Sequence, residues 1–358
     1  MSQAELRVPA ALSDETVENL LCDLVAIPSP STYEEKASQF LAEWMRGHGY
    51  DDAFVDASGS AVGIIGHGSR EIVLIGHIDT FGGNFPVRRE GRQLYGRGSV
   101  DAKGPLCTFA AAAAQARLNP DIKLIVIGAT EEEVASSRGA VYAAARYNPE
   151  MCVIGEPSSW DRITLGYKGR MLMSWKWRGD LGHSAGQVAT AAELAFEYWA
   201  RVQRYAAQVN EGRERIFDQL DVACQQIQTG HDGIYGWGWM EIGFRLPPRM
   251  NVEEVAAALQ SDNDATTEPH GKVEPYVCER DSVISRALRG AIRAEGGQPA
   301  FVNKTGTSDM NFVGPVWKCP MVAYGPGDSQ LDHTPHEHQD LDEYLRAVRV
   351  LKNALERL

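Results

Sequence analysis

The chain has 358 residues, 44% hydrophobic, 23% charged and 8% aromatic, a mix that can bury a sizeable core and excludes disorder or fibrous repeats. Thirty-five basic against 48 acidic residues leave a net charge of −13, which makes a poor binder of duplex nucleic acid or anionic membrane, although a local basic pocket is compatible with it. The first residues hold no apolar signal core and no long apolar run follows, so a soluble protein of the cytosol is expected.

The six cysteines, Cys22, Cys107, Cys152, Cys224, Cys278 and Cys319, are scattered and form no C-x-x-C pair. They read as buried free thiols rather than a disulfide framework or a thiolate zinc site. A metal, if one is bound, must be held by histidine and carboxylate.

From Ser13 the spacing predicts a helix, with Val17, Leu20, Leu21, Leu24 and Val25 on one face. A second helix is predicted over roughly Thr32 to His48. Three short apolar runs follow: Ile72–Ile75 before Gly76-His77, Leu124–Ile127 before Gly128, and Cys152–Ile154 before Gly155-Glu156. Each is nearly continuous and ends in glycine, as a strand covered on both faces does. Between the first two lies the alanine-rich segment Leu106 to Ala116, with Pro105 suited to a first helical turn. This alternation argues an α/β sheet with helices on both faces.

The pattern changes after about Thr164. Met171 to Trp177 alternates, as a strand with one wet face does. A long amphipathic helix from about Val188 to Val209, a strand over Trp239–Leu246, a helix over Asn251–Leu259 and a strand over Gly271–Cys278 make a small α+β layer. From Asp281 a helix returns, followed by the apolar stretch Met321–Tyr324, a His-rich loop and a final helix from Leu341. The expected organisation is a discontinuous α/β domain over residues 1–165 and 279–358, interrupted by an α+β insertion over 166–278.

Histidines and acids cluster just after the predicted strands. They are His77 and Asp79 in GHIDT, Asp101 in YGRGSVDAKG, the triplet Glu131-Glu132-Glu133, Glu156 in GEPSS, and His333 near the end. Ligands of open α/β sheets bind beyond the carboxyl ends of the strands, so five separate segments deliver donors toward one sheet edge. YGRGSVDAKG is neither a P-loop nor a dinucleotide fingerprint. Taken singly the signals are modest: H-x-D is often a surface pair and an acidic triplet is usually a solvated helix start.

Taken together and in this order, GHIDT, GRGSVDAKG, the Glu pair before V-x-S-S-x-G, GEPSS, GHSAG and the terminal H-x-x-x-E resemble the ArgE/DapE-type dizinc peptidases and deacylases. The resemblance spans nearly the whole chain. KTGTSDMNF, YGPGDSQLDHTP and LGYKGR look most like the subgroup that releases lysine, in some organisms ornithine, from the small acidic carrier protein LysW. It implies a zinc-peptidase-like catalytic domain, with a mixed central sheet flanked by helices, plus an inserted lid that serves dimerisation.

The same resemblance implies roles. Two Zn²⁺ per subunit, which Co²⁺ can replace, would be held by His77 and Glu156 on one side and by Glu133 and His333 on the other, with Asp101 bridging. Glu132 would be the general base; the triplet by itself also allows the Glu131-Glu132 register, and the family's placement of the pair before a small apolar residue, here Val134, selects Glu132 and Glu133. Asp79 would orient His77. His183 of GHSAG would donate to the oxyanion, across a homodimer interface in many relatives. Arg245 and the loop Thr305, Gly306, Thr307, Ser308 would bind the substrate's carboxylate. The implied activity is amide hydrolysis on an N-acyl-lysine or N-acyl-ornithine substrate, or on lysine carried by LysW. A dipeptidase, carboxypeptidase or general acyl-amino-acid deacylase on the same scaffold is the alternative, and a non-catalytic metal- or peptide-binding protein is a weaker one. An acidic carrier would need a basic patch on this acidic chain, expected at Lys168, Arg170, Arg245 and Arg249.

Overall fold

The computed structural model describes residues 9–181, 188–261 and 264–358. The chain divides into two compact units: residues 1–166, 278–302 and 308–358 form one, and 167–277 with 303–307 form the other. The stretch 303–307, which sequence reading keeps with the first domain, belongs with the second unit.

The first helix runs over Asp14–Ala26, and the Ser13 hydroxyl caps it by accepting the Thr16 N–H. The second, Glu35–Gly47, starts three residues later than its apolar spacing suggests, because Thr32 takes a positive φ of 75° and turns the chain first. The predicted apolar runs are the centres of the strands Arg70–His77, Ile122–Ala129 and Met151–Gly155. Among the described residues the central sheet has nine strands, six of which run in the order Asp52–Val55, Ala61–Ile65, Ile122–Ala129, Arg70–His77, Met151–Gly155, Met321–Tyr324, with Arg162–Tyr167 next in line. The first three pair antiparallel, the next pairings through Met321–Tyr324 are parallel, and Met321–Tyr324 pairs antiparallel with Arg162–Tyr167, so the sheet is mixed.

The parallel strands are buried along nearly their whole length, which is why they read as unbroken apolar runs. The alanine-rich helix Lys103–Gln115 packs on them, almost wholly buried. Its closeness explains the glycines at the strand ends. A Cβ at Gly128 would lie 3.2 Å from Leu106 Cδ2, and one at Gly155 would lie 3.0 Å from Phe109 Cε2. These glycines let helix and sheet approach where the site begins. Lys103 is also fully buried, and its ammonium donates to the carbonyls of Leu24 at 3.0 Å and Ile27 at 2.7 Å, tying this helix to the end of the first.

The second unit is a four-stranded antiparallel sheet in the order Asp221–His231, Tyr235–Leu246, Gly169–Asp180, Thr266–Val273. The helix Ala191–Asn210, opened by a Thr190–Glu193 capping box, packs on it around Trp175, Tyr198, Met240 and Phe244. The strand expected over Gly271–Cys278 is split between two, Thr266–Val273 and Tyr276–Val277. Pro275 lies between them and lacks the N–H needed to continue the ladder. Lys168, expected in a surface basic patch, is fully buried and donates to Asp221 Oδ2 at 2.6 Å and to the Gln219 carbonyl at 2.7 Å. All six cysteines are free thiols. Among the described residues no helix is long and apolar enough to cross a membrane.

Leu106 is fully buried and fills the space over the strand-end glycines. Leu106→Ala should therefore cost about 2–5 kcal/mol of stability, read as a lowered denaturation midpoint. A loss under about 1 kcal/mol would mean that the helix does not seal the sheet as described.

Candidate metal centre

The register of the parallel strands assembles the site. Gly76 pairs with Gly155, so His77 and Glu156 are the next residues on adjacent strands. His77 pairs with Ala129 on the other side, and the triplet Glu131-Glu132-Glu133 follows after Thr130. Asp101 comes from the loop that enters the buried helix, and His333 from the loop after Met321–Tyr324.

Four of these side chains meet within contact distance. His77 Nε2 lies 3.1 Å from Asp101 Oδ1, and His333 Nε2 lies 3.1 Å from Asp101 Oδ2. The carboxylate of Asp101 thus gives one oxygen to each imidazole. Glu133 places Oε2 3.1 Å and Oε1 3.2 Å from the same His333 nitrogen. His77, Asp101 and Glu133 offer donor atoms that all lie within 4.8 Å of one another.

Two carboxylates pin the loop that carries the acids. Asp79 is fully buried; its Oδ1 accepts the Glu132 N–H and its Oδ2 the Glu133 N–H, each at 3.0 Å, while the Ser31 hydroxyl donates to Oδ2 at 2.7 Å. Glu34 accepts the Glu131 N–H at 3.1 Å. Three successive amides are therefore satisfied, and Glu131 is held at a φ of 61°, a left-handed conformation that costs a non-glycine residue about 1–3 kcal/mol. The contact of Asp79 with His77 differs from the expected one. His77 Nδ1 is 3.0 Å from the Asp79 backbone carbonyl and 3.5 Å from its carboxylate, so the carbonyl fixes the tautomer and leaves Nε2 for Asp101. His333 is likewise left-handed at a φ of 61°, and Phe81 stacks on its ring at 4.2 Å.

The charges are one-sided. Burial pulls the His77 imidazole down, yet its bonds to Asp101 and Asp79 hold it well above the usual value. His333 is raised to about 10 by Asp101 and Glu133. Asp101, despite burial, is held below the carboxylate range by His333 and His77. Burial pushes Glu132 and Glu156 well above that range, and neighbouring acids add to the push. Asp309 is fully buried with both oxygens unpartnered, and burial lifts it to about 7.

This donor set fits divalent cations. One imidazole nitrogen carries a single proton, yet His333 Nε2 faces three carboxylate oxygens. Donors sharing one tetrahedral zinc at about 2.0–2.1 Å sit about 3.3 Å apart, close to the separations found here.

Of the residues expected from sequence, Asp79, Asp101, Glu133 and His333 join His77 in direct contact; Glu132 and Glu156 join through the register and mutual charge. His183 lies outside the described residues. Ser308 is fully buried and its hydroxyl accepts the Met310 N–H at 3.2 Å, at the start of the helix Met310–Trp317. Arg245 Nη1 donates to the Thr307 hydroxyl at 3.4 Å within the second unit. Sequence reading missed Ser31, Glu34 and Asp309. Of these only Asp309 left a signal, inside KTGTSDMNF.

Asp79→Asn turns one acceptor into a donor facing the Glu132 amide, the Glu133 amide or the Ser31 hydroxyl. Metal affinity, read by chelator competition, should fall about 10–100-fold; unchanged affinity would show that the pinning is dispensable. The raised imidazoles set a pH dependence. The contribution of His333 to the metal-free fold is full below its unfolded pKa of about 6.5 and is lost as pH rises through about 10. Metal uptake runs the other way: affinity should rise with pH and protons should be released, measurable by calorimetry in buffers of different ionisation enthalpy.

Comparison with known proteins agrees with this architecture. The family model described as peptidase family M20/M25/M40 matches residues 73–357. A [LysW]-lysine hydrolase of Deinococcus radiodurans is 44% identical, covering 96% of this chain and 97% of its own. A [LysW]-lysine/[LysW]-ornithine hydrolase of Sulfurisphaera tokodaii is 27% identical over 99% of both. The structure of Sso-CP2, an M20 family metallo-carboxypeptidase from Sulfolobus solfataricus, superposes with a TM-score of 0.74 at 17% identity, covering 95% of this chain and 98% of that one. With its family model spanning most of the sequence and its donors converging at one sheet edge, this chain belongs to peptidase family M20/M25/M40.

Proposed function

We propose that this protein is a metal-dependent amide hydrolase that releases lysine or ornithine from a LysW-linked γ-glutamyl or N-acyl precursor in lysine or arginine biosynthesis. The observation that carries the reading is the convergence of His77, Asp101, Glu133 and His333 in a chain 44% identical to a [LysW]-lysine hydrolase over nearly its full length.

Two Zn²⁺, with Co²⁺ as a substitute, would be held by His77 with Glu156 and by Glu133 with His333, Asp101 giving one oxygen to each. Bound there, the cations would supply Lewis acidity that acidifies water and polarises a carbonyl oxygen. The chain's own groups do the rest. Glu132 takes the proton of the attacking water and returns it to the leaving amine. Asp79 fixes the backbone amides of Glu132 and Glu133, the base and the residue that would hold the metal. His183 donates to the oxyanion, and a homodimer supplies the second lid.

In the second unit Arg170 and Arg245 stand directly opposite on paired strands, and with Asp221 they line a cavity of about 120 Å³. Asp221, opposite Arg245 on its other side, offsets part of this like charge, and an anion entering the cavity would offset more. Arg245, Thr307 and the neighbouring Thr305 and Gly306 suit a substrate carboxylate. Arg249 is exposed and adds positive charge for an acidic carrier. Lys168, paired to Asp221, does not.

Chelation should abolish hydrolysis and Zn²⁺ or Co²⁺ should restore it. Glu132→Gln should still take up metal but lose about 10²–10⁴-fold in turnover. A substrate panel of carrier-linked lysine and ornithine, their acetyl derivatives, neutral acyl-amino acids and dipeptides separates the readings. Preference for dipeptides or neutral acyl-amino acids would overturn the carrier-linked assignment.

A further inference from the structure

The terminal H-x-x-x-E motif contributes His333 to the donor set and leaves its glutamate, Glu337, without a role. Glu337 is fully buried in an otherwise exposed loop. Its Oε1 accepts two backbone amides at the far side of the site, Val100 at 3.1 Å and Asp101 at 3.2 Å. Its Oε2 accepts Arg97 Nη1 at 2.7 Å. Arg97 then reaches the His333 loop, donating to the carbonyls of Thr334 at 3.3 Å and His333 at 3.5 Å, and to the Gly83 carbonyl at 3.2 Å. One ion pair thus joins the backbones of Asp101 and His333, the two residues that face each other across the site at 3.1 Å.

Stability alone is a weak reason for such a pair, since well-packed apolar residues often replace a buried ion pair without loss. The particular groups it holds are a better reason. His333 is left-handed and exposed, and its loop is anchored through Arg97; Asp101 must aim both oxygens in opposite directions. We propose that Glu337 and Arg97 are positioning residues for the cation shared by Asp101, Glu133 and His333, presetting the distance between Asp101 and His333 before the ion arrives. The inference rests on the two-cation reading above.

The test uses full-length protein stripped of metal. Wild type, Glu337→Gln and Arg97→Lys are titrated with Co²⁺, following its visible absorption and the heat of binding, and the melting temperature of each metal-free form is recorded. Glu337→Gln turns one acceptor into a donor facing either Arg97 or the two amides; Arg97→Lys keeps the charge but cannot span the three carbonyls and Glu337. Wild type should bind two equivalents. Both variants should weaken metal binding about 10–100-fold at one site or both, since Asp101 serves both, with metal-free melting temperatures within a few degrees of wild type. Two wild-type affinities in both variants would overturn the proposal, whatever the melting temperature, because a purely structural pair would change only the latter. If Glu337→Gln does not fold, Arg97→Lys decides by the same criteria. Fewer than two equivalents on wild type would overturn the two-cation reading itself, and the proposal with it.

Discussion

The site depends on the carboxylate of Asp79. It is buried at the end of the Arg70–His77 strand and accepts three hydrogen bonds, from Ser31 and from the amides of Glu132 and Glu133. Backbone amides next to a sheet edge would otherwise seek water or the next strand. Held by Asp79, they leave the sheet and carry two acids toward His77. The Asp79 carbonyl meanwhile takes His77 Nδ1. One residue thus sets both the imidazole tautomer and the course of the acidic loop, with Glu34 completing the set at Glu131. Charge-assisted bonds of this kind are stronger than neutral ones, which is what a loop with a left-handed glutamate requires.

The second constraint is the excess of negative charge that this loop creates. Asp101, Glu132, Glu133, Glu156 and Asp309 surround two imidazoles, and burial raises most of the acids instead of letting them ionise freely. A buried carboxylate cluster of this size is costly unless cations neutralise it. The two imidazolium ions do so in part, which is why both histidines hold their protons so firmly. A divalent cation does so more fully and removes the proton. The same charges that make the site a ligand set make the metal-free pocket a competitor for protons.

What could be read from sequence follows from the same physics. The parallel strands announced themselves because both faces are covered, and the donors followed because they sit directly after those strands. The edge strand Asp221–His231 left no trace: it pairs on one side only, buries only Val222 and Cys224 in part against the core, and a register shift between Cys224 and Gln226 breaks its alternation. Asp79 was legible as an orienting acid, but its grip on two amides 53 and 54 residues away was not, since a side-chain-to-backbone bond places no demand on the identity of the donor residue. Glu34 was invisible for the same reason. Lys168 misled because a lysine in a polar turn normally reaches water; here Asp221 and a carbonyl replace the water.

That displaced lysine bears on how an acidic chain could meet an acidic partner. With Lys168 spent on Asp221, the positive charge left in the second unit at this place is arginine: Arg170 and Arg245 across the ladder and Arg249 beyond it. Arginine keeps its proton under all accessible conditions and offers a planar fork, so two arginines at facing ladder positions would select a carboxylate by geometry as well as by charge. A net charge of −13 repels an acidic protein at long range, but salt screens that field beyond about 8 Å, whereas a paired-arginine cavity acts at contact. Recognition would then lie in a few short-range bonds rather than in steering. On this reading the global charge limits how fast a carrier arrives, and the arginine pair decides what is held once it has.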